Sequence, residues 1–161
     1  MTKEAVTRPD LSSRPFSLTV ERDMTLSPHV IYRAWTEQMD RWFAASGSVL
    51  MKAEVNAVFF WETEFQGKRH PHYGRFLRLE PDRLVELTWV TGPEGGTKGA
   101  ETIVTVELAP QAGGTQLRLT HAGFLDEETK HRTEQAWPLV LTQLDERMAS
   151  RASNQNQEQS K

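Results

Sequence analysis

The chain has 161 residues, 37% of them hydrophobic and 25% charged, with a net charge of −3. That length suits one domain with a single core, and the missing basic excess argues against a nucleic-acid binder. There is no cysteine, which excludes disulfides, thiol nucleophiles, cysteinyl zinc sites and iron–sulfur ligation.

Residues 1–15 carry Thr, Lys, Arg, Asp, Ser and two prolines, and read as a flexible N-terminal arm without the apolar stretch of a secretory signal. No apolar run approaches the roughly 20 residues that span a bilayer, so no membrane insertion is expected and the default location is cytoplasmic. From Phe16 onward Leu18, Val20, Met24 and Leu26 alternate with polar residues, broken only by Arg22, which predicts a long half-buried strand. Ser27-Pro28 is a helix N-cap followed by proline at the first helical position. Val30, Ile31, Ala34, Trp35, Met39, Trp42 and Phe43 then recur at helical intervals, predicting two short helices that end at Ala44-Ala45-Ser46-Gly47.

Strands are expected at 49–55, 58–65, 73–80, 84–90 and 102–108, and a last one carries Leu117, Leu119 and His121 on its inward side. Gly67-Lys68-Arg69, Pro81-Asp82 and Ala112-Gly113-Gly114 are turns, and 92–99 is a flexible glycine-rich loop. Short turns with no helix-length gaps make the sheet antiparallel and the class α+β. Residues 126–148 form a long C-terminal helix with Asp126 as N-cap and Glu127 and Glu128 in its first turn. Its first half is polar; Trp137, Val140, Leu141, Leu144 and Met148 then make an apolar stripe. Pro138 predicts a kink or restart. A curved sheet wrapped around that stripe buries it best. Residues 150–161 read as a disordered polar tail, leaving one domain over 16–149.

Five stretches lie in an order and spacing that resembles the activator of heat shock protein 90 ATPase homologue-like family. They are Ser27-Pro28-His29-Val30-Ile31-Tyr32-Arg33-Ala34-Trp35-Thr36, Tyr73-Gly74-Arg75-Phe76-Leu77-Arg78-Leu79-Glu80-Pro81, Arg83-Leu84-Val85-Glu86-Leu87-Thr88-Trp89, Leu119-Thr120-His121-Ala122-Gly123-Phe124 and Trp137-Pro138-Leu139-Val140-Leu141. That family belongs to the superfamily sharing the START and birch-pollen-allergen fold, also called SRPBCC. The resemblance implies a helix-grip fold, with an apolar cavity between sheet and helix for lipids, sterols, polyketides or flavonoid-like molecules. Two departures stand out. Asn56-Ala57 replaces a glycine pair of many members, and the basic, Trp-containing motif of the true co-chaperone is missing.

Five Trp and seven Phe beside two Tyr serve either a core or a pocket wall. The candidate ligand-binding residues are Trp42, Trp61, Tyr73, Phe76, Trp89, His121, Phe124, Trp137 and Leu141. His121 and Tyr73 would orient a ligand by polar contacts. His121 reads first as a structural hydrogen-bonding residue, with an acid–base or ligand-contacting role as the alternative. Phe59 and Phe60 face opposite sides, and Glu62 and Glu64 favour the wetter face for Phe60. His70-Pro71-His72 lacks a third ligand by spacing, so no metal is assigned. No Ser-His-Asp order, phosphate loop or Cys nucleophile can be assembled, so no catalytic residue and no cofactor are assigned. The expected function is binding of a small hydrophobic molecule. A cyclase- or hydrolase-type enzyme on the same cavity and a chaperone-interacting stress-response module are the alternatives, and a homodimer is left open.

Overall fold

The computed structural model describes residues 6–159, with side chains through Ser150. In chain order they form β1 (Phe16–Met24), α1 (Pro28–Thr36), a 3-10 turn (Met39–Arg41), β2 (Val58–Phe65), β3 (Lys68–Glu80), β4 (Leu84–Thr91), β5 (Thr102–Gln111), β6 (Gly114–Phe124) and α2 (Glu127–Gln159). The strands make one antiparallel sheet of six in the order β1-β6-β5-β4-β3-β2. The architecture is α+β and helix-grip-like: α2 lies along the inner face of a curved open sheet. No helix among the described residues is long and apolar enough to cross a membrane.

Local sequence explains the helix boundaries. Ser27 Oγ accepts the Val30 N–H at 3.3 Å, and Asp126 Oδ1 accepts the Thr129 N–H at 2.8 Å, so both expected N-caps are formed. The stripe on α2 is buried as its spacing requires: Leu141 and Leu144 are fully enclosed, and Trp137 and Met148 nearly so. Just past its middle α2 is fastened to the end of β1 through buried Asp145, whose carboxylate accepts the N–H at 3.0 Å and the hydroxyl at 2.9 Å of Thr25, the residue after the strand.

Four details differ from the sequence reading. Residues 49–55 form no strand, only a single bridge between Leu50 and Phe60. Val49 and Met51 pack against the core, but Leu50 is 70% and Val55 44% exposed, and Asn56 turns the chain at φ 67°. Asparagine is one of the few residues that adopt this left-handed conformation readily. The second helix is a single 3-10 turn, anchored where Trp42 Nε1 donates to the Ala34 carbonyl at 2.8 Å. The first hairpin turns at Gln66-Gly67, both at positive φ, so β3 begins at Lys68 and contains His70-Pro71-His72. Pro71 fits there because pairing with β4 starts only at His72, leaving Pro71 to face β2 alone. Finally, α2 runs unbroken across Pro138, and its backbone continues to Gln159, into the stretch expected as a tail.

The segment before β1 ties itself to the domain. Arg8 pairs with the buried Glu86 of β4, and Arg14 donates to the carbonyls of Gly123 and Glu101. Residues 1–5 of the expected arm lie outside the described residues.

Candidate functional site

The strand parity left open by sequence is settled at β2. Phe59 and Trp61 are buried, and Phe60 is half-buried on the same side as Glu62, as the charged neighbours imply. Trp61, Trp89, Trp35, Trp42 and Trp137 therefore converge between sheet and helix. Trp35 lies 5.2 Å from Trp42 and 6.0 Å from Trp137, and Trp89 lies 5.4 Å from both Trp61 and Trp137, ring centre to ring centre. The middle of the hollow is thus packed with indole rings in tilted and edge-to-face arrangements.

Space remains at one end. A half-open cavity of about 140 Å³ is lined by Trp89 and His121 from the sheet, Phe43 from the segment after the 3-10 turn, Ala136, Trp137 and Val140 from α2, and Thr97 from the β4–β5 loop. Beside it a cleft of about 640 Å³ lies between the β2–β3 hairpin, the loop 92–96 and Arg132 of α2. His72, Thr91 and Gly96 line both spaces, so the cleft adjoins the cavity.

The loop over this end is closed by its own hydrogen bonds. The Thr91 N–H donates to Thr97 Oγ1 at 2.9 Å, and the Thr97 N–H donates back to Thr91 Oγ1 at 3.0 Å. Gly95 has to be glycine, since a Cβ there would lie 2.4 Å from Thr91 Oγ1. The segment expected as a flexible loop is a compact, stapled one.

His121 is fully committed to protein partners. Trp137 Nε1–H donates to His121 Nδ1 at 3.1 Å, which leaves the proton of the neutral ring on Nε2. That nitrogen lies 2.7 Å from Thr102 Oγ1, and the Thr102 hydroxyl donates to the Trp89 carbonyl at 2.5 Å. One chain of hydrogen bonds links α2, β6, β5 and β4 at the cavity wall. Burial holds the His121 pKa down, to about 3, so the ring is neutral at ordinary pH.

A model of the family described as "Activator of Hsp90 ATPase homolog 1-like protein" matches residues 25–149. The chain belongs to this family. Solved structures agree on the fold. A protein from Chromobacterium violaceum is 24% identical with a TM-score of 0.68, over 81% of this chain and 96% of that one. An AHSA1 protein from Silicibacter pomeroyi is 22% identical with a TM-score of 0.70, over 84% and 99%. CalU16 from Micromonospora echinospora is 22% identical with a TM-score of 0.61, over 88% and 82%. No curated protein matches the sequence.

In this Hsp90-activator-like domain the candidate residues separate into groups. Trp89, His121 and Trp137 line the cavity together. Trp61 stands behind it, stacked on His72 with ring centres 5.7 Å apart. Trp42, Phe76, Phe124 and Leu141 are fully buried packing residues and do not line this cavity. Tyr73 does not join the group: it is 45% exposed and lines a separate depression with Arg75 and Val90. The reason is parity, since His72 and Phe76 of β3 face inward and Tyr73 lies between them on the other side.

His72 is the site residue that sequence reasoning missed. It is buried, and its pKa is lowered to about 4, mainly by desolvation. Its Nδ1 lies 3.3 Å from the His70 carbonyl, so the neutral ring carries its proton there. Nε2 is then an acceptor with no protein partner among the described residues. The available signal was Phe76, already chosen as inward, four residues along the same strand. No group of three or more His, Cys, Asp or Glu able to hold a metal occurs among the described residues.

Proposed function

We propose that the protein binds a small molecule with a single aromatic ring, seated in the cavity between Trp89 and Trp137 and entering through the adjoining cleft. The observation that carries this reading is the cavity's size and lining. An apolar cavity of about 150 Å³ accepts benzene, and this one measures about 140 Å³. A sterol, a long acyl chain or an extended polyketide needs several times that volume. Trp89 and Trp137 offer ring faces and edges, and His72 Nε2 offers an acceptor at the junction with the cleft. A buried ring of ~150 Å² gains about 4 kcal/mol at 25 cal/mol per Å² before the costs of association, which points to modest affinity.

The geometry gives less support to acid–base catalysis through His121, because both ring nitrogens are already hydrogen-bonded within the protein.

The test is a calorimetric titration with neutral one-ring compounds such as phenol, benzyl alcohol and phenylacetamide. Saturable binding is expected in the native protein. It should disappear in Ala136→Phe, which places a ring at the cavity wall from an exposed helix position and leaves the fold intact. If none of these compounds binds saturably, or Ala136→Phe binds them as well as the native protein does, the reading is wrong.

A further inference from the structure

The cleft beside the ring cavity has a charge of its own. Its ionisable side chains are Lys68, Arg69, His70, His72 and Arg132, against the single carboxylate of Glu94. The whole chain carries −3, so this cationic rim runs against the overall balance. The cations are not equally available. Arg69 lies 3.5 Å from Glu62 and is engaged there. Lys68 and Arg132 make no ion pair within 4 Å among the described residues, though Arg132 is among the charges that help hold the Asp126 carboxyl low. Lys68 comes from β3 and Arg132 from α2, so sheet and helix each contribute a free cation to one opening.

An apolar slot for one ring, opening into a cleft with two unengaged cations, is complementary to an amphipathic anion. We propose that the cleft recognises a carboxylate, so that the molecule bound is a small aryl carboxylic acid, its ring in the cavity and its carboxylate between Lys68 and Arg132. This rests on the one-ring reading and adds the chemical class. A lysine and an arginine lining one cleft from different elements supply charge-assisted donors for the two carboxylate oxygens. His72, neutral beside them, supplies an acceptor and no charge, so the selection for an anion falls on Lys68 and Arg132.

Phenylacetate and its neutral isostere phenylacetamide separate the two parts of the interaction. In the native protein at low ionic strength, phenylacetate should bind about fivefold more tightly than the amide, the scale set by partly exposed ion pairs. The advantage should shrink in 0.5 M salt, where screening is strong. In the double variant Lys68→Gln, Arg132→Gln both compounds should bind alike, with the amide unchanged from native. Both side chains are exposed, so the variant folds normally. Equal binding of acid and amide in the native protein overturns this inference and leaves the one-ring reading standing. So does an acid preference that survives the double substitution. Failure of both compounds to bind removes both readings. Phenylacetate binding that persists in Ala136→Phe while depending on Lys68 and Arg132 keeps the anion site and removes the ring cavity.

Discussion

His121 shows how one side chain can look like a reactive group in sequence and be a structural one in space. It accepts from Trp137 and pairs with Thr102, so its replacement by Phe leaves the buried Trp137 N–H without a partner, while Thr102 keeps its bond to the Trp89 carbonyl. Such a loss costs about 1–3 kcal/mol. His121→Phe should therefore lower the unfolding free energy by about 1–3 kcal/mol, read from urea denaturation. The same burial sets a pH dependence. His121 and His72 stay neutral in the fold down to about pH 3 and about pH 4, while both protonate near 6.5 when unfolded. Below pH 6.5 the unfolded chain binds more protons, so stability is lost as the pH falls. With at most about 1.4 kcal/mol per unit for each histidine, and the unfolded rings not fully protonated at pH 6, the loss between pH 6 and 5 should be about 2.4 kcal/mol, and His121→Phe should halve it. A flat profile over that range would contradict the buried neutral assignment. The inward side of His121 was legible from its alternation with Leu117 and Leu119. Its partners were not, because Thr102 and Trp137 come from elements whose relative placement no local pattern states. Tyr73 and His72 exchanged places for a simpler reason: Phe76 fixes the parity of β3, and Tyr73 falls on the other one.

At the scale of elements, the helices and hairpins follow from short-range rules, and their anchoring does not. Caps at Ser27 and Asp126 and the stripe on α2 could be read directly, since each depends on residues within a few positions. The fastening of α2 to β1 could not, because Asp145 and Thr25 lie 120 positions apart. Asp145→Ala removes the acceptor for the Thr25 N–H and hydroxyl and the carboxylate 3.6 Å from Arg22. Loss of one partner of a buried pair costs about 3–5 kcal/mol, and the part exposure of Arg22 brings the expected loss nearer 2–3 kcal/mol. Chemical denaturation measures it. Pro138 works in the opposite direction. It sits exposed inside an unbroken helix, where proline is disfavoured by about 3 kcal/mol against alanine. Pro138→Ala should raise the thermal midpoint, with a gain of about 1–3 kcal/mol; a fall would mean that the proline shapes α2 in a way the domain requires. The segment 49–55 misled because its alternation resembles a strand, while only Val49 and Met51 pack against the core and Leu50 and Val55 stay exposed.

For the whole molecule, the question is how much of the hollow between sheet and helix is empty. The aromatic load and the buried stripe carrying Trp137 were legible, and so was the enclosure around α2; the side on which Trp61 lies was not, because the alternation of β2 left its parity open. The free volume was not, because it is the small difference between a large hollow and the sum of the side chains that fill it. Here the tryptophans occupy the centre and leave about 140 Å³ at one end. That arrangement predicts a sharp spatial limit on what a ligand can touch. Trp89 and Trp137 lie at the cavity, whereas Trp35 and Trp42 are sealed in the packed centre, with Trp42 Nε1 bonded to the Ala34 carbonyl. The direct measurement is a proton–nitrogen correlation spectrum of the indole N–H groups during titration with phenylacetate. Progressive shifts confined to Trp89, Trp137 and the neighbouring Trp61, with Trp35 and Trp42 unmoved, are the predicted result. Equal movement of Trp35 and Trp42, or no movement of any indole at saturating ligand, would contradict a ring-sized cavity at the end of a filled core.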